Sequence, residues 1–171
     1  MNKILLTNGL IWRRGKKTKG LKAKALINLL IDRSVVNKFM IDTLEGREPI
    51  DSANIFCIGE AGDAWQQTSK ALLKKYDVKT IDNDGWMICE PKPENEVEFI
   101  HLSEDFLLKH ANSTDDGFIV GHWGATVEGV ANLQSFSCGD YMCRQTHEPT
   151  DQWIVRRVLF VNSYTELGAN E

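Results

Sequence analysis

The sequence lacks any apolar run close to the roughly 20 residues that a membrane-spanning helix needs. Its start, Met1 to Trp12, holds one Lys and a short apolar stretch, and no small-residue cleavage site follows, which is unlike a secretory signal. Only four cysteines occur in 171 residues, and a chain of this size needs no disulfides to hold a core. We therefore expect a cytoplasmic protein with no membrane partner and with reduced, mostly buried thiols.

Motifs for nucleotide or calcium chemistry are also missing. The stretch Gly59–Gly62 is not followed by the Lys-Ser/Thr pair of a phosphate-binding loop. Asp82–Gly85 resembles the start of a calcium loop, but Pro93 stands at the twelfth position, where that loop needs an acid. The absence of a long strand–helix alternation argues against a doubly wound nucleotide-binding fold. The sequence thus favours a non-enzymatic protein without a cofactor and leaves the question of catalysis open.

The residues that are present indicate a globular α+β protein. An apolar fraction of 42% and a charged fraction of 26% are ordinary for a folded domain. Many short strands bounded by turn signals accompany about three short helices, at Leu21–Asp32, Thr68–Tyr76 and Ser103–His110. We expect a mostly antiparallel, twisted sheet, a basic N-terminal hairpin or arm over residues 1–20, and a single compact domain over residues 21–171.

Charge is distributed unevenly along the chain. Residues 1–24 contain no acid and eight basic residues, whereas the other 147 residues hold twelve basic and twenty-four acidic side chains. In one interpretation the basic segment lies on its own acidic domain, and in the other it binds nucleic acid. The first is favoured because the acidic remainder would repel phosphate. The candidate binding residues of this segment are Arg13, Arg14, Lys16, Lys17 and Lys19.

A second candidate binding site is the pair His122 and Trp123, which lies between Gly121 and Gly124. Glycines let the backbone approach a ligand closely, and an aromatic ring beside a His can stack on a nucleic-acid base. The simpler interpretation is a tight hairpin whose Trp belongs to the core, and we favour it over a binding loop.

Cys138, Cys143 and His147 have a spacing that is a weak signal for a zinc site. Thiolates and imidazole suit zinc, but a fourth ligand would have to come from elsewhere in the chain. Small buried thiols near a turn are the favoured interpretation, so we expect no metal. Cys143 and His147 are also a weak candidate for a nucleophile and its base, with no orienting acid evident in the sequence.

Two segments of the chain share a pattern of large aromatic residues. Each has a Gly-Asp step, a Trp, and a Tyr eleven residues after the Trp: Gly62-Asp63, Trp65 and Tyr76 in the first, and Gly139-Asp140, Trp153 and Tyr164 in the second. The spacing between the Gly-Asp step and the Trp differs, so an insertion must be allowed. The pattern is either chance or a duplication, with possible repeat units around residues 38–90 and 117–167.

The stretches Gly59–Pro93 and Gly139–Leu167 resemble the small PGDYG-type domains of phage and bacterial genomes. In that family a strand ends at a Gly-Asp turn, a short strand follows, and the unit ends on an aromatic residue and a Tyr-acidic pair. Ala61 and Cys138 stand where the family has its leading Pro. The resemblance implies a phage or prophage source, hence a host-cytoplasm location, and a small β-rich fold. It implies no activity.

These observations lead us to expect a small phage-type interaction protein that binds a host or phage macromolecule, with a protein as the favoured partner and inhibition as one version of the role. The first alternative is a nucleic-acid-binding module that uses the basic arm. The second is a small enzyme or binder that acts on a nucleotide-like ligand through Asp63, Asp140, His122 or His147.

Overall fold

The computed structural model describes residues 3–5, 9–33, 40–43 and 46–168. Within these ranges the chain forms fifteen strands and four helices, in the order β1 (Lys3–Leu5), β2 (Arg13–Lys17), β3 (Leu21–Ala25), α1 (Leu26–Arg33), β4 (Met40–Thr43), β5 (Gly46–Pro49), β6 (Ile55–Gly59), β7 (Ala64–Gln67), α2 (Ser69–Lys75), β8 (Tyr76–Ile81), β9 (Met87–Pro91), β10 (Glu96–His101), α3 (Glu104–Ala111), β11 (Gly117–Val127), β12 (Val130–Phe136), β13 (Tyr141–Gln145), β14 (Gln152–Val155), α4 (Arg157–Ser163) and β15 (Tyr164–Glu166).

The chain groups into two compact units. The central unit is Thr18–Asn95, and the terminal unit joins Met1–Lys17 to Glu96–Glu171. The sequence predicts a basic arm over residues 1–20 and one domain over residues 21–171, and these bounds stay a prediction. Within the predicted arm, β2 pairs with β10 and β15 of the terminal unit.

The central unit is built on a five-stranded antiparallel sheet with the order β7-β6-β3-β9-β8, and β4 and β5 form a separate hairpin. The alternation of Leu21, Lys22 and Ala23 buries the two apolar residues and exposes the Lys. Leu72 of α2 packs on the same side of the sheet. The buried core of this unit consists of Leu21, Ala23, Cys57, Leu72, Tyr76 and Cys89.

The terminal unit contains a five-stranded antiparallel sheet with the order β14-β13-β10-β2-β15 and a three-stranded sheet with the order β1-β11-β12. The β1–β11 pair is parallel and the β11–β12 pair is antiparallel. One core cluster contains Ile100, Leu102, Leu107, Ile119, Phe136 and Met142. The other lies under α4 and contains Phe99, Cys143 and Phe160.

The two five-stranded sheets are built by the same scheme. In each, an edge hairpin (β6–β7 or β13–β14) leads into a seven-residue helix (α2 or α4), and the next strand (β8 or β15) lies at the opposite edge. Across the hairpins, Cys57 pairs with Trp65 and Cys143 pairs with Trp153. The position of β9, which follows β8, is occupied in the terminal sheet by β2 from the start of the chain.

The expected class, α+β with mostly antiparallel sheet, is confirmed. The described residues contain four helices instead of about three, because Arg157–Ser163 is helical. The helix expected over Leu21–Asp32 begins later, at Leu26, and its first five residues form β3. The β-branched and aromatic residues of Val35–Leu44 predict a strand, which the structure describes only at Met40–Thr43, and the other residues of this run lie outside the described ranges.

Local turn and cap signals position several of these elements. Asp82 starts the β8–β9 turn, where its side-chain oxygen accepts from the backbone N–H of Asp84 and Trp86. Ser103 caps α3 and Thr68 caps α2, because each hydroxyl accepts from the backbone N–H three residues later. In the part of the chain that the structure describes, no helix has both the length and the apolar composition needed to cross a bilayer.

Candidate binding surfaces

Arg13–Lys17 of the basic segment form β2, an inner strand of the terminal sheet that is hydrogen-bonded to β10 on one side and to β15 on the other. Arg13 donates to the carboxylate of Glu166 at 3.1 Å, and its guanidinium lies 4.8 Å from the ring centroid of Phe99. Arg14 forms an ion pair with Glu96 on the neighbouring strand. Both Arg side chains are thus directed to carboxylates of their own unit.

The three candidate lysines are divided between the two units. Lys16 and Lys17 lie on β2, where the Lys17 ammonium lies 5.9 Å from the ring centroid of Tyr164. Lys19 belongs to the central unit and pairs with Glu60 at 3.6 Å. Exposed ion pairs of this kind contribute about 0–1 kcal/mol each, so their main effect is to neutralise charge.

His122 and Trp123 lie in an irregular part of the β11–β12 hairpin. Val120 and Ala125 both pair with Leu133, so the four residues between them have no counterpart in the register of β12. Such bulges bend a strand and redirect its side chains. The backbone of His122 and Trp123 is described as part of β11, but their side chains lie outside the described part of the structure. The predicted core position of Trp123 therefore stays a prediction.

The backbone around this bulge has unusual torsion angles. Gly124 has a φ of +143°, and a Cβ added there would clash with the carbonyl oxygen of Leu133. On the partner strand Asn132 has a φ of 60°, which is left-handed and uncommon inside a strand. Glu128 and Gly129 at the tip also have positive φ, at 50° and 83°, as expected for a tight two-residue hairpin turn.

The outer half of the same hairpin is exposed. Ile119, Leu133 and Phe136 in the inner half are buried, whereas Val120 and Val130 are 42% and 37% exposed. The run from Glu128 to Asn132 is exposed at every residue. The hairpin therefore extends from the core of the terminal unit to a surface where apolar side chains meet solvent.

Among the described residues of the terminal unit, Asp140 is the buried carboxylate, and three hydrogen-bond donors contact it. One oxygen accepts from the backbone N–H of Ser137 at 2.9 Å and from the Arg156 guanidinium at 2.5 Å. The other accepts from the backbone N–H of Arg157 at 3.1 Å, at the start of α4. This network fixes the turn before β13 to the helix. In the sequence Asp140 is visible only as part of a Gly-Asp step, and no pattern there points to Arg156.

Four rings stack in series beside α4. The ring centroids of His101 and Tyr141 lie 4.6 Å apart, those of Tyr141 and Phe160 lie 3.8 Å apart, and those of Phe160 and Tyr164 lie 4.8 Å apart. The stack joins β10, β13 and β15 through the helix. Burial and, to a smaller extent, the positive charge of Arg157 lower the pKa of His101, while a hydrogen bond with the backbone of Gly139 opposes this effect.

The weak zinc candidates are not brought together. Cys143 is fully buried on β13, whereas Cys138 and His147 are exposed in turns on either side of that strand. Among the described residues, no group of three or more His, Cys, Asp and Glu side chains could hold a metal ion. Burial also raises the pKa of the Cys143 thiol far above its usual range, which makes it unsuitable as a nucleophile at neutral pH.

The expectation that most of the cysteines are buried is confirmed. None of the four, all of which lie in the described ranges, forms a disulfide. Cys57, Cys89 and Cys143 are buried and Cys138 is exposed.

The two aspartates proposed for a nucleotide-like ligand, Asp63 and Asp140, lie in different units.

A shallow depression of about 290 Å³ lies in the terminal unit between β11, β12 and the start of α4. The depression has few groups available for a ligand, because the Arg156 guanidinium on its wall is already held by Asp140 and Ser135. Its lining residues are Asp116, Gly117, Phe118, Ser135, Phe136, Ser137 and Arg156.

Comparison with known proteins gives no match: no protein-family model, curated protein or solved structure matches the chain.

Proposed function

We propose that this chain is an interaction protein that binds another protein through the outer half of the β11–β12 hairpin. The proposal rests on two features of this part of the hairpin: its apolar side chains are exposed, and the register of its strands is interrupted by a bulge. Val120 and Val130 are exposed apolar residues on the two strands, and the bulge at His122 and Trp123 lies beside Val120. Exposed apolar side chains grouped on one surface are a common mark of a protein interaction site.

The strain of the bulge supports the same proposal. Asn132 is in the left-handed region and Gly124 lies against the backbone of Leu133, although a regular ladder would avoid both features. Bulges concentrate at sites where a strand must present a side chain to a ligand. The partner we propose is a host or phage protein, which accords with the resemblance to PGDYG-type phage domains.

The test compares variants in an affinity capture from bacterial host lysate, with and without nuclease, read by mass spectrometry. Val120→Lys and Val130→Lys should each abolish recovery of a nuclease-resistant protein. Val158→Ala, at an exposed apolar position on α4, should leave recovery unchanged. Val130 is exposed, so Val130→Lys should still fold. Recovery that survives both hairpin changes would refute the hairpin as the binding surface.

Nucleic-acid binding through residues 13–19 is the second candidate. Its support is the density of basic residues on β2, four in five positions. The ion pairs of Arg13 and Arg14 with Glu166 and Glu96 weaken it, because phosphate would have to displace these carboxylates. In the same capture, recovery that vanishes with nuclease and falls steeply with salt would favour this candidate over the hairpin proposal.

Action on a nucleotide-like ligand is the third candidate. A blank capture, together with a rise in melting temperature in a nucleotide and metal screen, would favour it. The three hydrogen bonds that occupy Asp140 weaken this candidate, because the carboxylate would have to give them up to act on a ligand.

We also propose that the two five-stranded sheets descend from one duplicated module. The shared strand order, the matching Cys–Trp pairs and the equal Trp-to-Tyr spacing support this origin. The Gly-Asp steps do not correspond. The carbonyl of Asp63 accepts from Gly59, and the equivalent carbonyl in the terminal sheet is that of Asp151, which accepts from Gln145. An experimental structure in which Trp65 and Trp153 fail to superpose when the sheets are aligned would contradict the duplication.

A further inference from the structure

The four edge strands of the two five-stranded sheets differ in length and in how far other parts of the chain cover them. At β7, the side chain of Gln66 bonds the backbone of Pro49 and Asp51 and so ties the neighbouring segment to this edge. At β14, the side chain of Gln134 accepts from the backbone N–H of Ile154. The edge strand β15 is only three residues long. Covering and shortening are common protections of sheet edges.

The fourth edge strand, β8, is longer and more exposed. It has six residues, pairs with β9 alone in the described part of the chain, and is exposed at each residue from Val78 to Ile81. Val78 and Ile81 are 38% and 65% exposed. An exposed edge strand with apolar side chains is a template for pairing with a further strand.

The charges on β8 are complementary to those of a second copy of β8 in one antiparallel register. Lys79 lies near Asp77 of its own strand at 3.9 Å and Glu90 of β9 at 3.7 Å, so all three side chains are on one face of the sheet. If two copies of β8 pair antiparallel about a two-fold axis at Val78, each Asp77 lies opposite Lys79 of the other copy. Opposite charges placed directly across two strands stabilise the pair.

Neighbouring registers are disfavoured by the same charges. A shift of two residues in one direction places Asp77 opposite Asp77 of the other copy, and a shift in the other direction places Lys79 opposite Lys79. The β-bulge between Val78 and Thr80 interrupts the regular alternation of β8, so the regular part of the pairing is confined to the residues around Val78. A two-fold axis perpendicular to the sheet keeps the same face of both strands on the same side. A shift by one residue would place side chains from opposite faces across from each other, so the intermediate registers are excluded.

We propose that two copies of this chain associate through antiparallel pairing of their β8 strands, with Val78 at the two-fold axis. The pairing joins two five-stranded sheets into one continuous ten-stranded sheet. It exchanges the intrachain Asp77–Lys79 contacts for two interchain pairs and covers Val78 of both copies. The surface belongs to the central unit and is separate from the hairpin proposed to bind another protein, so either proposal can fail without the other.

The first test is the mass of the protein in solution between about 1 µM and 1 mM. Light scattering and sedimentation equilibrium should give twice the 19.4 kDa of one chain at the upper concentrations. Asp77→Lys and Lys79→Asp should each raise the dissociation constant at least about tenfold, because each places like charges opposite one another twice. The double variant Asp77→Lys/Lys79→Asp should restore dimerisation.

The second test is disulfide trapping in a Cys138→Ser background, which removes the exposed native thiol. Val78→Cys should form an interchain disulfide on mild oxidation, because paired residues across strands lie about 4.5–5.5 Å apart. Ile81→Cys is also exposed but should not cross-link, because two such residues would be about 20 Å apart along the strands. A monomer throughout the concentration range, a dimer insensitive to the single charge reversals, or equal trapping of both cysteines would overturn the proposal.

Discussion

Asp140 and Arg13 both lie beside an opposite charge, but their surroundings make the two contacts very different. The side chains of Arg13 and Glu166 are each about half exposed, and pairs of this type contribute little because water screens them. Asp140 has 8% of its side chain exposed and is held by Arg156 and two backbone N–H groups. Breaking a buried, hydrogen-bonded pair by removing one partner typically costs about 3–5 kcal/mol. Removing Asp140 should therefore cost more folding stability than removing Glu166, although the charge pattern of the sequence does not distinguish the two carboxylates.

His101 should make the stability of the terminal unit sensitive to acid. Its Nε2 atom is buried with no hydrogen-bond partner in the described part of the chain, and burial beside Arg157 lowers its pKa. The unfolded state, with an ordinary His pKa of roughly 6.5, therefore takes up a proton that the folded state resists. The free energy of unfolding should fall as pH decreases through and below that value, when measured by urea unfolding at pH 7.5 and 5.5.

His101→Phe keeps a ring for stacking on Tyr141 and removes the titrating group, so it should lose less stability than the wild type over this pH interval. His147→Ala, at an exposed turn position, serves as the matched control and should keep the wild-type pH dependence. Equal slopes for the wild type and His101→Phe would show that His101 does not cause the acid sensitivity.

The helix α3 shows how a local signal determines an element. The Ser103 hydroxyl accepts from the backbone N–H of Phe106 at 3.2 Å, and Glu104 and Asp105 occupy the first turn, where the helix dipole favours acids. Ser103→Ala should lower the free energy of unfolding by about 1 kcal/mol, read as a lower urea midpoint at unchanged slope. Ser52→Ala, at an exposed position outside the helix, should have almost no effect, and equal losses for both variants would contradict the cap's contribution.

The elements that the sequence predicted well are those fixed by nearby residues. The start of α3 follows from Ser103, whose side chain bonds the backbone three residues later. The start of α1 was misplaced because the apolar residues from Leu21 to Leu30 also fit helical spacing, and strand pairing with β6 and β9 decides the first five. The helix α4 was not expected because its run Val158–Val161 is rich in β-branched residues.

The candidate sites were predictable as residues but not as surfaces. The pairing of β2 with β10 brings Arg14 to Glu96, 82 positions away in sequence, and no local pattern shows this. The His122-Trp123 bulge depends in the same way on the register of β12, because Leu133 pairs on both sides of it. The exposed edge of β8 becomes visible only when the order of strands in the sheet is known.

At the scale of the whole molecule, each core cluster draws all its residues from one unit. Removing buried side chains should therefore act locally. Leu72→Ala and Phe160→Ala should each lower stability by about 2–5 kcal/mol through the cavity left behind. By native-state hydrogen exchange, Leu72→Ala should accelerate exchange within Thr18–Asn95, and Phe160→Ala should accelerate it within β10 to β15. If either variant accelerated exchange equally in both units, the chain would unfold as one cooperative body, and the separation of the cores would have no energetic consequence.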